Sequence, residues 1–355
     1  MKITFVLNDI IVSGGVKAVF CISNCLVDRG HDVKVIYPLV PMGITPAKII
    51  TKAWYRGIPV LKQIISSSKS DPWFNLKAEL RQVPYLSKRY MPDADVVVAT
   101  WWETAYFVNN LPASKGRKFY FIQHYEIWGG PKNKVDASYR LGLINIVNSQ
   151  WTKERVEGVA GKVAAKILHA PDWRQFADTV DSTGHDDIRV LMQYRKDPWK
   201  CIEDGVKAFE LARQQYPQAK LVMFGRESDG SLPDYVEFTY NPTGEQLNRL
   251  YRSCDIFLFT SKAEGFGMPP MEAMACKVPV VTTNVGAVSD YAINGKTALI
   301  SKPENTAELA KNLCLLIESK EMRDQISDAA YEYIKDFTWE RATQELAHVF
   351  ADSLR

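Results

Sequence analysis

Long apolar runs are missing from this 355-residue chain. No stretch of about 18 or more consecutive apolar residues occurs, so the sequence predicts no membrane-spanning helix. The amino-terminal MKITFVLND has neither the apolar core nor the small-residue cleavage site of a signal peptide, and it predicts a first β-strand instead. We therefore expect a cytoplasmic protein.

Cysteines and metal ligands are sparse as well. The six cysteines are scattered, and Cys21 and Cys25 have no second Cys/His pair near them in the sequence, so we interpret them as packed core thiols. Asp93-Ala94-Asp95 has the DxD pattern that can bind a nucleotide-linked metal, but it precedes a predicted strand and is interpreted as a turn. We expect no obligatory metal and no other cofactor.

The composition is typical of a soluble globular protein, with 46% hydrophobic and 24% charged residues, and the length suits two domains. The net charge of +3 hides a basic segment, residues 42–92, which contains nine Lys/Arg and two acidic residues. Its net charge of +7 leaves −4 for the rest of the chain.

The basic segment also contains prolines, which predict short helical pieces, and the aromatic residues Trp54, Tyr55, Trp73, Phe74 and Tyr85. One interpretation is a solvated helical insertion. Another is a surface for an anionic membrane or a lipid-linked substrate, because each basic residue near such a surface contributes about 1 kcal/mol. Nucleic acid is a weaker third alternative, since no RNA- or DNA-binding motif accompanies the charge, and we expect no nucleic-acid partner.

Alternating strands and helices predict an α/β protein. The first β-α-β unit covers residues 2–38, with Gly14 and Gly15 where its helix begins. This pair lacks the three-glycine spacing of the dinucleotide fingerprint, and no acid follows the second strand, so we expect no NAD site. Further strands are predicted at residues 95–99, 119–123, 144–148, 164–168, 188–192, 219–224, 256–259 and 278–281.

Two aromatic loops follow predicted strands of the first half, TWWETA at residues 100–105 and HYEIWGG at residues 124–130. The carboxyl ends of strands are where open α/β sheets bind ligands. His124 could donate from there to a substrate hydroxyl, and the alternative is a polar capping residue.

Residues 254–281 combine a buried strand, a turn with Gly265 and Gly267, and a helix whose first positions are expected at Pro269 and Pro270. Glycines let backbone amides approach a ligand closely, so this turn predicts an anion site.

Charged residues surround that turn in the sequence. Glu264 and Glu272 lie eight positions apart on either side of it, and Arg195 and Lys200 follow the first strand of the second half. Two cations facing the amides would surround a diphosphate, because charge-assisted hydrogen bonds contribute about 1.5–3 kcal/mol each. The alternative for each pair is an ordinary solvated loop or helix surface.

The segment EGFGMPPME resembles the E-x7-E signature of retaining GT-B glycosyltransferases, especially family 4. The similarity extends along most of the chain, through SGGVK, RGHDVKVI, VNSQWTKERV, APDWRQF, the R-x4-K of Arg195 and Lys200, GEQLNRLYRSCDIFLFTS, VPVVTTNVGA and DFTWERA. The basic segment is the main unmatched part. Two positions depart from the family pattern, Lys17 where an acid is frequent and Asp290 where Glu is frequent.

The resemblance implies two Rossmann-like domains that face each other across a cleft. Residues 1–175 would form the N-terminal acceptor domain, with the basic segment as an insertion, and residues 176–338 the C-terminal nucleotide-sugar domain. Residues 170–187 are polar and are interpreted as the linker. The final helix, residues 339–355, is expected to cross back to the N-terminal domain.

On the matching positions, the resemblance assigns the donor sugar to Glu264, the ribose hydroxyls to Glu272 and the diphosphate to Arg195 and Lys200. His124 would bond a hydroxyl of the transferred sugar. The other expected donor-binding residues are Gly14, Gly15, Tyr240, Gly265, Phe266, Gly267 and Met268.

The chain is thus predicted to be a retaining, metal-independent glycosyltransferase. It would move a sugar from a nucleotide-diphosphate sugar to a glycan or lipid-linked saccharide in cell-surface polysaccharide or glycoconjugate synthesis, on the cytosolic face of the membrane. A front-face displacement is preferred, in which the two cations and the helix start stabilise the leaving phosphate. The alternatives are a nucleotide-sugar epimerase, a phosphorylase of the same fold, and a non-catalytic partner that binds nucleotide sugar.

Overall fold

The computed structural model of the chain describes residues 1–11, 13–43, 74–176, 187–227 and 232–355. These residues form two compact units. The first unit comprises residues 1–148, 152–167 and 339–355, and the second comprises residues 149–151 and 168–338.

The strands of the described residues are β1 Lys2–Val6, β2 Asp32–Pro38, β3 Glu79–Val83, β4 Val96–Ala99, β5 Arg117–Ile122, β6 Ile144–Val147, β7 Ala165–Lys166, β8 Arg189–Gln193, β9 Lys220–Gly225, β10 Glu237–Tyr240, β11 Ile256–Phe259, β12 Val280–Thr283 and β13 Leu299–Ser301.

The helices of the same residues are α1 Gly14–Asp28, α2 Trp102–Asn109, α3 Lys132–Ser138, α4 Gln150–Ala160, α5 Trp173–Phe176, α6 Ile202–Gln215, α7 Glu245–Arg252, α8 Met268–Ala275, α9 Val288–Tyr291, α10 Thr306–Glu318, α11 Lys320–Ile334 and α12 Trp339–Ser353. None of these helices combines the length and the apolar character needed to cross a bilayer.

A seven-stranded parallel sheet forms the centre of the first unit, in the order β3-β2-β1-β4-β5-β6-β7. All four residues of β4 are buried, as expected for a parallel sheet that is covered on both faces. β1 pairs with β2 on one side and with β4 on the other, so that Phe5 lies opposite Val35 and Val98.

The second unit contains a six-stranded parallel sheet in the order β10-β9-β8-β11-β12-β13. β11 is buried along its whole length. One part of the core joins Phe257 to Tyr251 of α7 and Met271 of α8. Another part joins Leu258 to Phe209 of α6 and other apolar residues of α6 and α10.

The final helix, α12, belongs to the first unit, as predicted. Its Phe350 is fully buried and meets Phe119 of β5 edge to face, with 4.7 Å between the ring centroids. Arg29, at the end of α1, donates to the carbonyl of Glu340 at 3.2 Å. The helix therefore completes the core of a unit whose sheet is made from the start of the chain.

Strand order reverses once in each sheet, between β1 and β4 in the first unit and between β8 and β11 in the second. The loops that leave the carboxyl ends of such a strand pair diverge to opposite sides and open a crevice, which is where open α/β sheets bind ligands. We call these two places the switch points. The candidate ligand-binding loops are therefore those after β1, β4, β8 and β11.

The basic segment differs from the predicted run of short helical pieces. Residues 79–83 form β3, an edge strand that pairs in parallel with β2. Apolar and polar residues alternate only weakly in its sequence, ELRQV. In the described sheet this edge strand has a neighbour on one side only, and its charged side chains face water. Trp54, Tyr55 and Trp73 lie outside the described residues.

The predicted linker, residues 170–187, begins inside the second unit. Phe176 of α5 is fully buried in the core of that unit, and the indole nitrogen of Trp173 donates to the carbonyl of Phe337 at 2.7 Å. The main segment of the second unit therefore starts at Leu168, before the boundary expected after residue 175.

Candidate functional site

The candidate site of the second unit lies at its switch point, where β8 and β11 end side by side. After β8 the chain makes a 3₁₀ turn at Pro198–Lys200, and Cys201 then takes up a left-handed φ of 50°. Thr260, directly after β11, donates its hydroxyl to the carbonyl of Lys200 at 2.9 Å. This bond fixes the backbone of Lys200 against the end of β11.

Lys200 and Glu264 form an ion pair at this switch point. The Nζ of Lys200 donates to Oε1 of Glu264 at 2.5 Å, and the two side chains are only 14% and 12% exposed. A lysine ammonium has three donors, so Lys200 can hold Glu264 and a ligand anion at the same time. The sequence predicted both residues for the site, whereas their direct contact is visible only in the structure.

The glycine-rich turn after β11 is oriented by two bonds to the loop around α9. The amide of Ala287 donates to the carbonyl of Phe266 at 3.0 Å, and the hydroxyl of Tyr291 donates to the carbonyl of Gly267 at 2.8 Å. In a trans peptide the C=O and the following N–H point in opposite directions. The amides of Gly267 and Met268 therefore face away from the α9 loop, as an anion site requires.

Helix α8 begins at Met268, so Pro269 and Pro270 occupy its second and third positions rather than the first positions that the sequence predicted. A helix start leaves its first N–H groups without intrahelical partners, and proline has no N–H to offer. The donors at this helix start are thus concentrated at Gly267 and Met268.

Glu272 lies one turn further along α8. The hydroxyl of Tyr251, whose ring is fully buried, donates to Oε2 of Glu272 at 3.2 Å. Burial, and next the charge of Glu272, raise the pKa of Tyr251 well above its usual value, so the hydroxyl keeps its proton and stays a donor. Tyr251 thereby orients the Glu272 carboxylate.

Arg195 and Tyr240, two other predicted residues of this unit, are both exposed. Arg195 is 48% exposed and pairs with Asp197 at 2.9 Å. Tyr240 ends the edge strand β10 and is 71% exposed. The structure thus brings Lys200 into contact with Glu264, while Arg195 bonds to its own loop.

His169 supports the glycine-rich turn, and the sequence did not indicate it. Its imidazole is 2% exposed and stacks on the ring of Phe266, with 4.6 Å between centroids. Burial lowers the pKa of His169 to about 3, so the ring is neutral at physiological pH. In the sequence, His169 is marked by its position just after a predicted strand. Many histidines that play no part in a binding site have that position too.

Gly286, in the loop after β12, allows the chain to pass directly against Glu264. It has a φ of 55°, and a Cβ at this position would lie 2.9 Å from the Cβ of Glu264 and 3.0 Å from the Phe266 carbonyl oxygen. We expect Gly286→Ala to lower the free energy of unfolding by about 2–4 kcal/mol. The left-handed conformation costs an alanine about 1–2 kcal/mol, and the overlap adds to that.

Gly295→Ala is the matched control, because Gly295 has a φ of 74° but a Cβ there would meet no atom within 4 Å. Urea unfolding of both variants separates the strain of the backbone from the overlap with Glu264. An equal loss in the free energy of unfolding of the two variants would mean that the overlap with Glu264 does not contribute to it.

The first unit carries the remaining predicted residues at its own switch point. α1 begins at Gly14, in the connection that leaves β1. A Cβ at Gly15 would lie 3.4 Å from the side-chain nitrogen of Gln123, the residue before His124. The two glycines and the loop after β5 are therefore neighbours.

One ring nitrogen of His124 is already engaged by the backbone. Its Nδ1 lies 3.0 Å from the carbonyl oxygen of Tyr125. A carbonyl only accepts, so Nδ1 carries the proton of this bond, and in the neutral ring Nε2 is then an acceptor. A neutral His124 would accept a hydrogen bond from a sugar hydroxyl rather than donate one.

Glu126 is a buried acid in the same loop, and the sequence did not indicate it. Its Oε2 accepts from the amide of Trp102 at 2.7 Å and from the hydroxyl of Tyr120 at 3.1 Å. Burial raises the pKa of Glu126 to about 8, although both hydrogen bonds act to lower it. Glu126 thus connects the loop after β5 to the start of α2.

Comparison with known proteins finds a family match in the second unit. Residues 176–333 match the family model of glycosyl transferases, group 1. The O-antigen biosynthesis protein RfbC of Myxococcus xanthus is 28% identical over 262 residues, which cover 70% of this chain and 20% of that protein. The matches to curated relatives span about a fifth to a half of the relatives' own length.

Solved structures share the fold over nearly the whole chain. Sucrose-phosphate synthase from Thermosynechococcus elongatus has a TM-score of 0.74 at 16% identity, covering 99% of this chain and 98% of that one. Anabaena HepE in complex with UDP-glucose has a TM-score of 0.72 at 17% identity, covering 99% and 100%. These likenesses confirm the predicted fold of two Rossmann-like domains.

Proposed function

We propose that the protein is a retaining glycosyltransferase, because residues 176–333 match the family model of glycosyl transferases, group 1, and the chain has the GT-B fold. It moves a sugar from a nucleotide-diphosphate sugar to a hydroxyl of a saccharide or lipid-linked saccharide. The product belongs to cell-surface polysaccharide or glycoconjugate synthesis, as the name of the Myxococcus relative suggests.

The observation that supports this proposal best is the Lys200–Glu264 ion pair beside the amides of Gly267 and Met268. Lys200 and the two amides supply fixed positive charge at one side of the switch point, which suits a diphosphate. Glu264 supplies a carboxylate next to it, which suits the hydroxyls of the sugar. Donors that are fixed before the reaction stabilise charge that develops on the leaving group.

In the proposed step, the bond between the anomeric carbon and the diphosphate oxygen breaks, and a bond to the acceptor oxygen forms on the same face of the sugar. The proton of the acceptor hydroxyl passes to the departing phosphate oxygen. Lys200 holds that phosphate, and Arg195 adds a second cation when it leaves Asp197. No metal is needed in this scheme, since Lys200 and the amides supply the positive charge.

The other predicted residues keep the roles that the family resemblance gives them. Glu272, oriented by Tyr251, accepts from the ribose hydroxyls, and Tyr240 lies near the base. In the first unit, Gly14 and Gly15 are assigned to phosphate and His124 to a hydroxyl of the transferred sugar.

A donor panel tests the proposal. Purified protein is incubated with UDP, GDP, ADP and dTDP sugars, with and without EDTA, and NMR follows the anomeric configuration of the product. UDP sugars come first because the Anabaena structure of the same fold holds UDP-glucose. We expect transfer with retained configuration that EDTA does not abolish.

Other outcomes of the panel would contradict parts of the proposal. An inverted product would exclude the retaining mechanism, and inactivation by EDTA would exclude metal independence. Interconversion of donor sugars without an acceptor would indicate an epimerase, and a requirement for inorganic phosphate would indicate a phosphorylase. Binding of a nucleotide sugar without any turnover would indicate a non-catalytic partner.

We also propose that the basic segment holds the protein at the cytosolic face of an anionic membrane. In its described part, Arg89 stacks on the ring of Tyr90 at 4.6 Å, and Tyr85 is exposed beside that ring. Sedimentation with anionic vesicles, but not with neutral ones, is the expected result. Equal and negligible binding to both would leave this segment as a solvated insertion.

A further inference from the structure

Two tryptophans lie together at the switch point of the first unit. Trp101 lies two residues after the end of β4, and Trp128 lies in the loop after β5, the neighbouring strand. Their ring centroids are 5.2 Å apart at an angle of 57°, and Trp128 is 55% exposed. Single exposed apolar residues are common on protein surfaces, but two neighbouring indoles form a contiguous apolar patch at the ligand-binding edge of the sheet.

The loop after β5 passes very close to the rings of Trp101 and Trp102. A Cβ at Gly129 would lie 2.3 Å from the ring of Trp101, and a Cβ at Gly130 would lie 2.5 Å from the ring of Trp102. Only glycine permits so close an approach of backbone to indole. The indole nitrogen of Trp101 donates to Oε2 of Glu103 at 3.2 Å, which holds the ring in place.

Polar groups adjoin the exposed indole. The ring of His124 lies edge-on to Trp128, with 6.2 Å between centroids, and the half-buried carboxyl of Glu103 is bonded to Trp101. An aromatic face with a few fixed polar groups at its rim is the arrangement of a site for a hydroxylated ring. The negative face of an indole attracts the C–H groups of a pyranose, and acceptors at the rim attract its hydroxyls.

We propose that Trp101 and Trp128 form a stacking subsite for a neutral pyranose ring of the acceptor, with Glu103 accepting from its hydroxyls. The assignment of this ring to the acceptor rests on the proposed function, because His124, beside Trp128, is there assigned to the transferred sugar. A saccharide fits better than a nucleotide, since a nucleotide would bring phosphate towards the Glu103 carboxyl.

Saccharide binding without any donor tests the subsite directly. Saturation-transfer NMR of the full chain is carried out with maltose, cellobiose and N,N′-diacetylchitobiose, and with uridine and glucose 1-phosphate for comparison. Trp128→Ala is compared with Trp128→Phe, which keeps an aromatic face, and with Tyr85→Ala, which removes another exposed aromatic ring of the same unit. Because Trp128 is more than half exposed, its replacement leaves the core intact.

We expect at least one neutral disaccharide to bind, and Trp128→Ala to weaken that binding about tenfold. Trp128→Phe should weaken the binding less than Trp128→Ala does, and Tyr85→Ala should leave the binding unchanged. Absence of binding by all three disaccharides, or equal affinity in Trp128→Ala and wild type, would overturn the proposal. So would binding at Trp128 of uridine or glucose 1-phosphate in place of the neutral sugars.

The same variants separate this inference from the proposed function. If the wild type transfers sugar and Trp128→Ala has an unchanged KM for the acceptor, the subsite is wrong and the glycosyltransferase stands. If no donor is turned over while disaccharides still bind through Trp128, the transferase is wrong and the saccharide subsite stands.

Discussion

Replacing Lys200 by methionine is expected to lower kcat for sugar transfer by about 10²–10³-fold, the usual effect of removing one fixed donor from a developing negative charge. Methionine keeps an unbranched apolar side chain but loses the ammonium, which lies 5.9 Å from the centroid of the Phe259 ring. The KM for the donor should rise much less if Lys200 acts mainly on the departing phosphate. Steady-state kinetics with the donor found in the panel measures both.

Stability must be separated from catalysis in this variant, because the Glu264 carboxylate is left largely buried without its cation. Removing one partner of such a pair costs about 3–5 kcal/mol. Adding Glu264→Gln removes the uncompensated charge, so the double variant should recover most of the stability while its turnover stays low. Lys262→Met is the matched control, since Lys262 pairs at the surface with Glu304. Near-normal kcat in Lys200→Met would refute the assigned role.

The second large effect concerns Glu126 and pH. Burial raises the pKa of this carboxyl from its ordinary 4.5 to about 8, so between these values the folded protein keeps a proton that the unfolded chain has lost. Unfolding then releases a proton, and the free energy of unfolding falls as pH rises through this window. The shift corresponds to at most about 4–5 kcal/mol.

Glu126→Gln removes this titration while keeping an oxygen that accepts from the Trp102 amide and the Tyr120 hydroxyl. The variant and the wild type should be about equally stable near pH 4.5, and the variant should become the more stable of the two towards pH 8. Urea unfolding across this range measures the difference. Glu157→Gln, at a partly exposed carboxylate of the same unit, is the comparison variant. Parallel pH profiles of Glu126→Gln and wild type would show that Glu126 ionises freely.

Much of the fold could be predicted from the sequence, because buried parallel strands appear in the sequence as unbroken runs of apolar residues. VVVA of β4 and IFLF of β11 are buried at every residue, and the helices between the strands show their period. The edge strands β3, β10 and β13 were missed. Among the described residues, ELRQV and EFTY pair on one side only and keep polar residues towards water, so their patterns resemble those of loops.

The site was predictable as a set of residues and not as a set of contacts. Glycines and glutamates at fixed spacing placed Glu264 and Glu272 around a turn, but the bond from Lys200 to Glu264 spans 64 positions and depends on the pairing of β8 with β11. Burial of Glu126 and His169 is decided by what other segments pack on them. The neighbouring residues in the sequence do not distinguish a buried polar group from a solvated one.

The position of α12 has a consequence for the order in which the protein is made. The ribosome supplies β1 to β7 first, then every residue of the second unit from Leu168 onward, and only then the helix whose Phe350 packs on Phe119. The unit that begins the chain is therefore the last to have all its residues. Domains generally fold as units during synthesis, the first one earliest. Here the first sheet must wait for its covering helix until the second unit has been synthesised.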